Sequence, residues 1–213
     1  INTGSLSVTK MSDSPSGNIT DAGTGVTLAK FQLKAFGESM KVETLNFNIN
    51  DNNNETAYKL RNGAIFANGV QVGTTTAICS DRSTTAATCT GVAGTDDSYT
   101  QFSFGSSLVV VPGSPVTLEV RADIFDNDGT NKVSVGDTIA VVVDGSTVAI
   151  AGAAGWGNVL RMTTNSYASV PAVTTDVTGN TLTVASGSLA LAKDQSYGNQ
   201  TTVVPQSTYK IGQ

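Results

Sequence analysis

Histidine is absent from this chain of 213 residues, and cysteine and tryptophan are rare. Without histidine the chain lacks the commonest general base and the usual activator of serine and cysteine nucleophiles. Two cysteines alone cannot complete a zinc site. The acidic residues stand singly, and no phosphate-binding loop, nucleophile elbow or dinucleotide fingerprint occurs. We therefore expect that the protein is not an enzyme, since catalysis would require carboxylates that only the fold could bring together.

Charged residues are scarce as well. They make up 14% of the chain, and the net charge is −5. An acidic chain with few lysines and arginines lacks the electrostatic signature of a nucleic-acid partner. No apolar run is long enough to span a bilayer, so we expect no membrane insertion by this segment. The chain begins at Ile1 rather than methionine, which indicates processing or a piece of a longer polypeptide.

The residues that dominate are glycine, threonine, serine, valine and asparagine, a composition typical of strands and turns. Residues 45–50 alternate apolar side chains with three asparagines, and residues 116–124 repeat the alternation. This period predicts strands with one dry and one wet face. Asn68-Gly69 predicts a type I′ hairpin turn. Since no stretch shows sustained helical spacing, we expect an all-β, antiparallel β-sandwich, immunoglobulin-like in broad architecture.

An internal repeat is the second signal. GSLSVTK at 4–10 returns as GSLALAK at 187–193, and GNIT at 17–20 returns as GNQT at 198–201. GVTLAKF at 25–31 has a counterpart in STYKIGQ at 207–213, where Leu28 aligns with Ile211. Chance similarity is the alternative. The pattern predicts a β-sandwich repeat unit over 1–186 and, over 187–213, the opening strands of a second repeat or an inter-subunit donor strand.

Residues 187–213 have two predicted placements. They complete the sheet of their own domain, or they add a strand to an open sheet edge of an identical or similar neighbouring subunit. Contacts of the second kind run head to tail and do not close, so they build filaments or lattices. The side chains expected to insert are Leu189, Leu191, Val203, Val204 and Ile211.

Cys79 and Cys89 are separated by nine residues and flanked by serine, threonine and aspartate. The polar flanks argue against burial and favour a disulfide-closed loop, which indicates an oxidising compartment. The alternative is a pair of buried free thiols. Sequons at Asn18, Asn54 and Asn199 predict glycosylation of exposed loops in a secreted protein, although Asn- and Thr-rich chains also contain sequons by chance.

Two further features suggest ligands. Asp123, Asp126, Asp128 and Asp137 surround a glycine turn and offer the oxygen donors that Ca²⁺ prefers, without the spacing of an EF-hand. A plain Asp-Gly turn is the alternative. Trp156 stands among glycines, where it either stacks on a sugar ring or plugs one end of the core.

Several stretches resemble a known family. They are GVTLAKFQLKAFGE followed by MKVETL, then SPVTLEVRADI, VGDTIAVVV and the junction GNTLTVASGSLALAK. The chain resembles the tandem β-sandwich repeats of very large bacterial secreted surface proteins, S-layer-like or adhesin-like. The Cys79–Cys89 loop and the Asn-rich loop are not parts of that pattern. The resemblance implies an extracellular role and transfers no catalytic residue.

Together these features predict a non-enzymatic structural subunit or repeat of a cell-surface layer or filament, assembling by β-strand addition. The alternative is an adhesin or carbohydrate-binding module, with or without calcium.

Overall fold

The computed structural model describes residues 3–51, 59–81, 98–124, 133–145 and 157–187. In these ranges the chain forms β-strands and no helix, and therefore no helix that could cross a membrane. The strands are β1 (Ser5–Lys10), β2 (Gly17–Thr20), β3 (Val26–Phe36), β4 (Met40–Val42), β5 (Thr44–Asp51), β6 (Lys59–Ala67), β7 (Val70–Cys79), β8 (Thr100–Ser103), β9 (Val109–Val110), β10 (Val116–Asp123), β11 (Thr138–Asp144), β12 (Val159–Arg161), β13 (Ser166–Ala168), β14 (Val177–Thr178) and β15 (Leu182–Ala185).

Two large sheets form the sandwich. The first has the order β1-β3-β10-β6-β7, and the second has the order β2-β15-β11-β5-β8, with β14 also paired to β11. A smaller third sheet has the order β13-β12-β4-β9. The named strand pairs are antiparallel except β2 and β15, which run parallel.

The chain passes repeatedly between the two large sheets. It crosses from the first sheet to the second after β1, β3, β7 and β10. As a result β3 lies beside β10 in one sheet, and β5 lies beside β11 in the other. The amino-terminal strand also changes sheets, since β1 pairs with β3 and β2 pairs with β15. The structure is therefore an all-β, antiparallel β-sandwich whose chain crosses between the sheets, as in immunoglobulin-like folds, so the predicted fold class is confirmed.

The core lies between the two large sheets. It is built by the apolar residues that alternate with polar ones along the strands. Phe47 and Phe102 are buried and meet edge to face, with ring centroids 5.6 Å apart. Such aromatic contacts add to the free energy gained from burying the rings. The other largest fully buried side chains are Phe31, Leu28, Leu33, Met40, Leu45, Ile49, Leu60, Ile65 and Ile78.

The predicted hairpin at Asn68-Gly69 is confirmed. Ala67 and Val70 are paired residues of β6 and β7, and the two residues between them have φ angles of 49° and 83°. Positive φ at both central positions defines a type I′ turn, whose twist matches that of the flanking strands. The alternation along β10 is also as predicted, because Val116, Leu118 and Val120 are buried.

Candidate functional site

Gly4 is the first residue of the repeat copy at 4–10. Both its main-chain amide and its main-chain carbonyl are hydrogen-bonded to side chains. Its amide donates to Oε1 of Glu38 at 3.2 Å, and its carbonyl accepts from Nε of Arg161 at 2.7 Å. The Glu38 carboxylate also accepts hydrogen bonds from the amides of Thr163 and Thr164, at 2.7 and 2.9 Å. Glu38 and Arg161 therefore form a clamp, here called the Gly4 clamp, that ties the start of β1 to the third sheet.

The electrostatics of the Gly4 clamp favour the ionised carboxylate. Hydrogen bonds, first of all from the Thr164 amide, hold the pKa of Glu38 below its ordinary value, while burial opposes them. Each such bond stabilises the charged form of the acid. Glu38 is only 8% exposed. A buried carboxylate that is fully hydrogen-bonded is a strong, geometrically specific anchor for a passing main chain.

Strand β1 occupies a defined place beyond the clamp. It pairs with β3 from Ser5 opposite Phe36 to Lys10 opposite Phe31. Leu6 is 8% exposed and belongs to the core. At the far end, Nζ of Lys10 donates to Oδ1 of Asn180 at 2.7 Å. We call this place the β1 slot: the edge of β3 together with the Gly4 clamp and Asn180.

The two ends of the described chain lie at opposite ends of the sandwich. Gly4 is beside the last residue of β3, Phe36, whereas the main chain near Gly187 is beside the start of β3. There the amide of Asp21 donates to the carbonyl of Ala185 at 3.1 Å, and Ile124 donates to Gly23 at 2.9 Å. Strand β3 has 11 residues, which corresponds to about 35 Å of extended chain.

The face of β5 that was predicted to be wet is partly buried, so that prediction was wrong. Asn46 and Asn48 are 0% and 4% exposed. Nδ2 of Asn48 donates to Asp144 at 3.1 Å, and Asn46 accepts from Gln101 at 3.3 Å and hydrogen-bonds Tyr99. The physical reason is that Tyr99 lies against this face, where Asp144 and Gln101 supply polar partners for part of each buried amide.

Tyr99 is buried beside Asn46 and Asn48, and together these side chains form a buried polar layer on the outer face of β5. Burial, and to a smaller extent the neighbouring Asp144 carboxylate, raises the pKa of the Tyr99 phenol, although the hydrogen bond with Asn46 opposes the shift. The phenol therefore stays protonated at physiological pH. The layer is a structural feature of the second sheet, and it leads into a cavity.

The cavity has a volume of about 210 Å³ and lies on the outer side of the second sheet. Asn48 lines it, and its Oδ1 has no hydrogen-bond partner among the described residues. No group of three or more histidine, cysteine or acidic side chains in the described ranges is placed to hold a metal ion. The volume is below the roughly 300–1,000 Å³ of pockets for drug-sized ligands, so it suits only a small polar ligand. The remaining lining residues are Asn50, Asp51, Asp81, Val142, Asp176 and Thr178.

The aspartates predicted to bind calcium fall partly outside the description. Asp123 accepts hydrogen bonds from the Gly25 amide at 2.7 Å and from Asn62 at 2.6 Å, and Asp137 accepts from the Ser134 amide at 2.6 Å. The Asp137 bond closes a local turn, a common role for aspartate. The Asp123 bonds instead join the end of β10 to Gly25 and to Asn62 in β6. Asp126 and Asp128 lie outside the described residues, so the calcium site stays a prediction.

Cys79 is disulfide-bonded, and it is fully buried. The expectation that its polar flanks would keep it exposed was wrong. Its amide donates to Thr100 Oγ1 at 3.0 Å, and the same hydroxyl donates to the Ala77 carbonyl. Ser98 donates to the carbonyl of Asp81 at 2.8 Å and so closes the stem of the insertion. Cys89, the predicted partner, lies outside the described residues.

Of the other predicted site residues, one lies within the described residues and the rest lie outside them. Asn18 is described and is exposed on β2. Asn54, Asn199 and Trp156 lie outside the described residues, as do the predicted assembly side chains Leu189, Leu191, Val203, Val204 and Ile211. Strand β15 ends at Ala185, one residue before the predicted boundary of the repeat unit.

Sequence reasoning missed the Gly4 clamp, although two signals were present. The repeat retains a glycine at 4 and at 187, and Glu38 ends the stretch GVTLAKFQLKAFGE that carries the family resemblance. Neither signal reveals the partner of the other, because 34 residues separate Gly4 from Glu38 and 157 separate it from Arg161. No known protein family matches the chain, and no curated protein is significantly similar to it.

Proposed function

We propose that the protein is a non-enzymatic structural unit of an extracellular surface layer or filament, connected in series to identical or similar units by β-strand addition. The observation that carries this proposal is the placement of Gly4 and Gly187, near which the described part of the chain begins and ends. The chain arrives at Gly4 and leaves at Gly187 on opposite ends of the sandwich, and a second copy of its opening sequence begins at Gly187. Units linked in this way extend along one axis.

The attachment of β1 suits a unit that transmits force. Tension applied through Gly4 would act along β1 and load its six residue pairs with β3 together. It would also load the hydrogen bonds of the Gly4 clamp, one of which uses an ionised carboxylate. Hydrogen bonds to charged groups are stronger than neutral ones. Because the β1–β3 hydrogen bonds and the Gly4 clamp would have to break together, they resist extraction of β1 from the sheet.

An extracellular location is supported by chemistry rather than by a targeting signal. Cys79 is disulfide-bonded, and disulfides persist in oxidising environments such as the cell exterior. The exposed Asn18 side chain lies on β2, an edge strand of the second sheet. A glycan there would also shield the exposed edge from unwanted strand pairing.

The test is the state of assembly of the full chain. We expect analytical ultracentrifugation to show species that grow with protein concentration, and negative-stain electron microscopy to show linear or lattice-like particles. A chain that stays monomeric up to millimolar concentration, while retaining its β-rich circular dichroism spectrum, would contradict self-assembly.

A carbohydrate-binding or adhesive module is the second candidate. The polar cavity favours it, since the exposed side chains of Asn50 and Thr178 line it, and amide and hydroxyl groups hydrogen-bond sugar hydroxyls. A glycan array of the full chain tests this candidate, with Thr178→Val as the matched variant because Thr178 is exposed and lines the cavity. Glycan binding that Thr178→Val abolishes supports it, and no binding above background rejects it.

A further inference from the structure

The polar cavity of the second sheet lies over the second half of β5. Asn48 of β5 is the Cα partner of Val142 of β11, and Val142 is the Cα partner of Thr178 of β14. These three residues form one row across three strands. Asp81 lies along the opposite edge of β5, since its amide donates to the Ile49 carbonyl at 3.0 Å. Segments that are distant in sequence therefore meet at the cavity.

The lining of the cavity is rich in oxygen atoms and in negative charge. None of the described residues that line it is a lysine or an arginine. Asp81 is 8% exposed, so water and salt screen its charge poorly. Carboxylates that share one cavity disfavour each other's ionised form unless a cation lies between them. The oxygen-bearing side chains of the lining are those of Asn48, Asn50, Asp51, Asp81, Asp176 and Thr178.

Asn48 adds a buried acceptor to these groups. Its side chain is 4% exposed, and its Oδ1 has no hydrogen-bond partner among the described residues. Its Nδ2 donates to a carboxylate oxygen of Asp144 at 3.1 Å. An ionised carboxylate can only accept, so the nitrogen and the oxygen of this amide are not interchangeable. The atom left without a partner is therefore the oxygen.

The register of β5 indicates the direction of this oxygen. Asp144 is the Cα partner of Asn46, toward the start of β5. Asn50 and Asp51, which line the cavity, lie toward its end. Because the amide nitrogen of Asn48 points to Asp144, its oxygen is directed toward the cavity. A buried acceptor without a partner costs free energy, and a ligand that contacts it recovers that cost.

The chemistry of the donors favours a hard cation. Ca²⁺ takes about 6–8 oxygen ligands from carboxylates, amide carbonyls and water, at about 2.3–2.6 Å and in flexible geometry. These distances are shorter than the roughly 2.8 Å of a hydrogen bond to water, so an ion can contact an oxygen that water barely reaches. Mg²⁺ requires a strict octahedron and keeps most of its water, which suits this mixed set less well.

We infer that the cavity binds Ca²⁺, with Oδ1 of Asn48 and the carboxylates of Asp51 and Asp81 as its protein ligands. No three acidic side chains of the described ranges are placed to hold a metal ion, so the neutral amide oxygen and water complete the shell. Each carboxylate has about four lone-pair positions and can coordinate the ion while keeping its present contacts. Asp176 adds its charge from the β14 side, where its Oδ1 accepts from the Gly145 amide at 2.9 Å.

This site shares no residue with the four aspartates predicted from the sequence, and it does not depend on the proposed assembly. Two carboxylates in a partly neutral shell correspond to the weaker calcium sites of extracellular modules, with a Kd of about 10⁻⁴–10⁻³ M. The ion would tie β5 to the segment at Asp81, which follows β7.

Calcium titration of the full chain tests the inference. We expect isothermal titration calorimetry of the EDTA-treated protein with CaCl₂ to show saturable binding in this range. With a Kd of about 1 mM, about 10 mM CaCl₂ should raise Tm by about 3–6 °C relative to EDTA. MgCl₂ at the same concentration should give a clearly smaller rise.

Isosteric variants locate the ion. Asp81→Asn removes one ligand charge and should weaken binding by about tenfold or more. Asp176→Asn, at an exposed residue, should weaken it by about threefold. Asp13→Asn is the matched control, since it removes the same charge from an exposed aspartate outside the cavity. Asp126→Asn/Asp128→Asn removes two charges from the other predicted calcium site, and both controls should bind as the wild type does.

The outcomes are distinct. Binding that Asp81→Asn weakens and both controls retain supports the inference. An absence of binding heat together with an identical Tm in CaCl₂ and EDTA overturns it, as does binding that is lost only in Asp126→Asn/Asp128→Asn. An equal rise of Tm in MgCl₂ contradicts the choice of Ca²⁺. If Asp81→Asn does not fold, as judged by circular dichroism, an unchanged Kd in Asp176→Asn overturns the inference. The proposed assembly is tested separately by ultracentrifugation and stands or falls without this site.

Discussion

Replacing Asn158 by alanine should destabilise the protein severely. This side chain is 4% exposed and makes three hydrogen bonds. Its Nδ2 donates to the carbonyls of Thr44 and Val170 at 2.9 and 2.7 Å, and its Oδ1 accepts from the Val170 amide at 2.8 Å. It therefore joins the start of β5 to the segment after β13, two parts of the chain that share no strand pairing.

The magnitude follows from these contacts. Each intramolecular hydrogen bond contributes about 1 kcal/mol, and a buried amide or carbonyl left without a partner costs about 1–3 kcal/mol more. Since Val170 is 5% exposed, water cannot readily replace the lost partner. We expect the free energy of unfolding to fall by about 4 kcal/mol, which lowers Tm by roughly 10 °C for a domain of this size.

Thermal unfolding followed by circular dichroism, with urea unfolding for the free energy, measures the effect. The matched control is Asn18→Ala, because the Asn18 side chain is exposed. Both proteins should be made in a host that does not glycosylate. A loss of less than about 1 kcal/mol in Asn158→Ala would refute the reasoning, since the Val170 groups would then be satisfied without the asparagine.

Three other predictions follow from the core, the clamp and the sequence. Phe47→Ala should cost about 4 kcal/mol, because it leaves a cavity beside Phe102, whereas Phe36→Ala, at a residue 46% exposed, should cost far less; urea unfolding checks both. Because the pKa of Glu38 is lowered in the folded protein, its contribution to stability is present above the ordinary value of 4.5 and is lost as the pH falls through the lower folded value. Glu38→Gln should therefore lower Tm at pH 7 and differ less from wild type below pH 4, and an unchanged gap would contradict the ionised clamp. If the four predicted aspartates bind calcium, EDTA should lower Tm, and an identical Tm in calcium and EDTA rejects that site.

Much of the sandwich could be predicted from the sequence, because its strands and turns depend on patterns among neighbouring residues. The alternation along β10 depends only on neighbouring residues, and burial of Val116, Leu118 and Val120 follows from it. The hairpin at Asn68-Gly69 depends on two residues that tolerate positive φ. In such cases the local preference and the tertiary structure agree, as expected for a foldable sequence.

The failures occurred where a distant segment covers a local pattern. Asn46 and Asn48 alternate with apolar residues as a solvent-facing row would, yet Tyr99 and its neighbours bury them. Cys79 has polar neighbours in sequence and none of its own surface exposed. Periodicity reports which face of a strand a residue is on, and it cannot report what lies over that face.

The sequence by itself indicated that the chain is all-β, that the strands at 45–50 and 116–124 alternate, and that Gly, Ser, Leu and Lys of the segment 4–10 return at 187–193. Only the tertiary structure shows what the repeated residues Gly4 and Lys10 contact. Glu38, Arg161 and Asn180 are 34, 157 and 170 residues from the positions in β1 that they contact. Such contacts exist only after the sheets have packed, because no local preference of the chain encodes which distant carboxylate will meet a glycine amide.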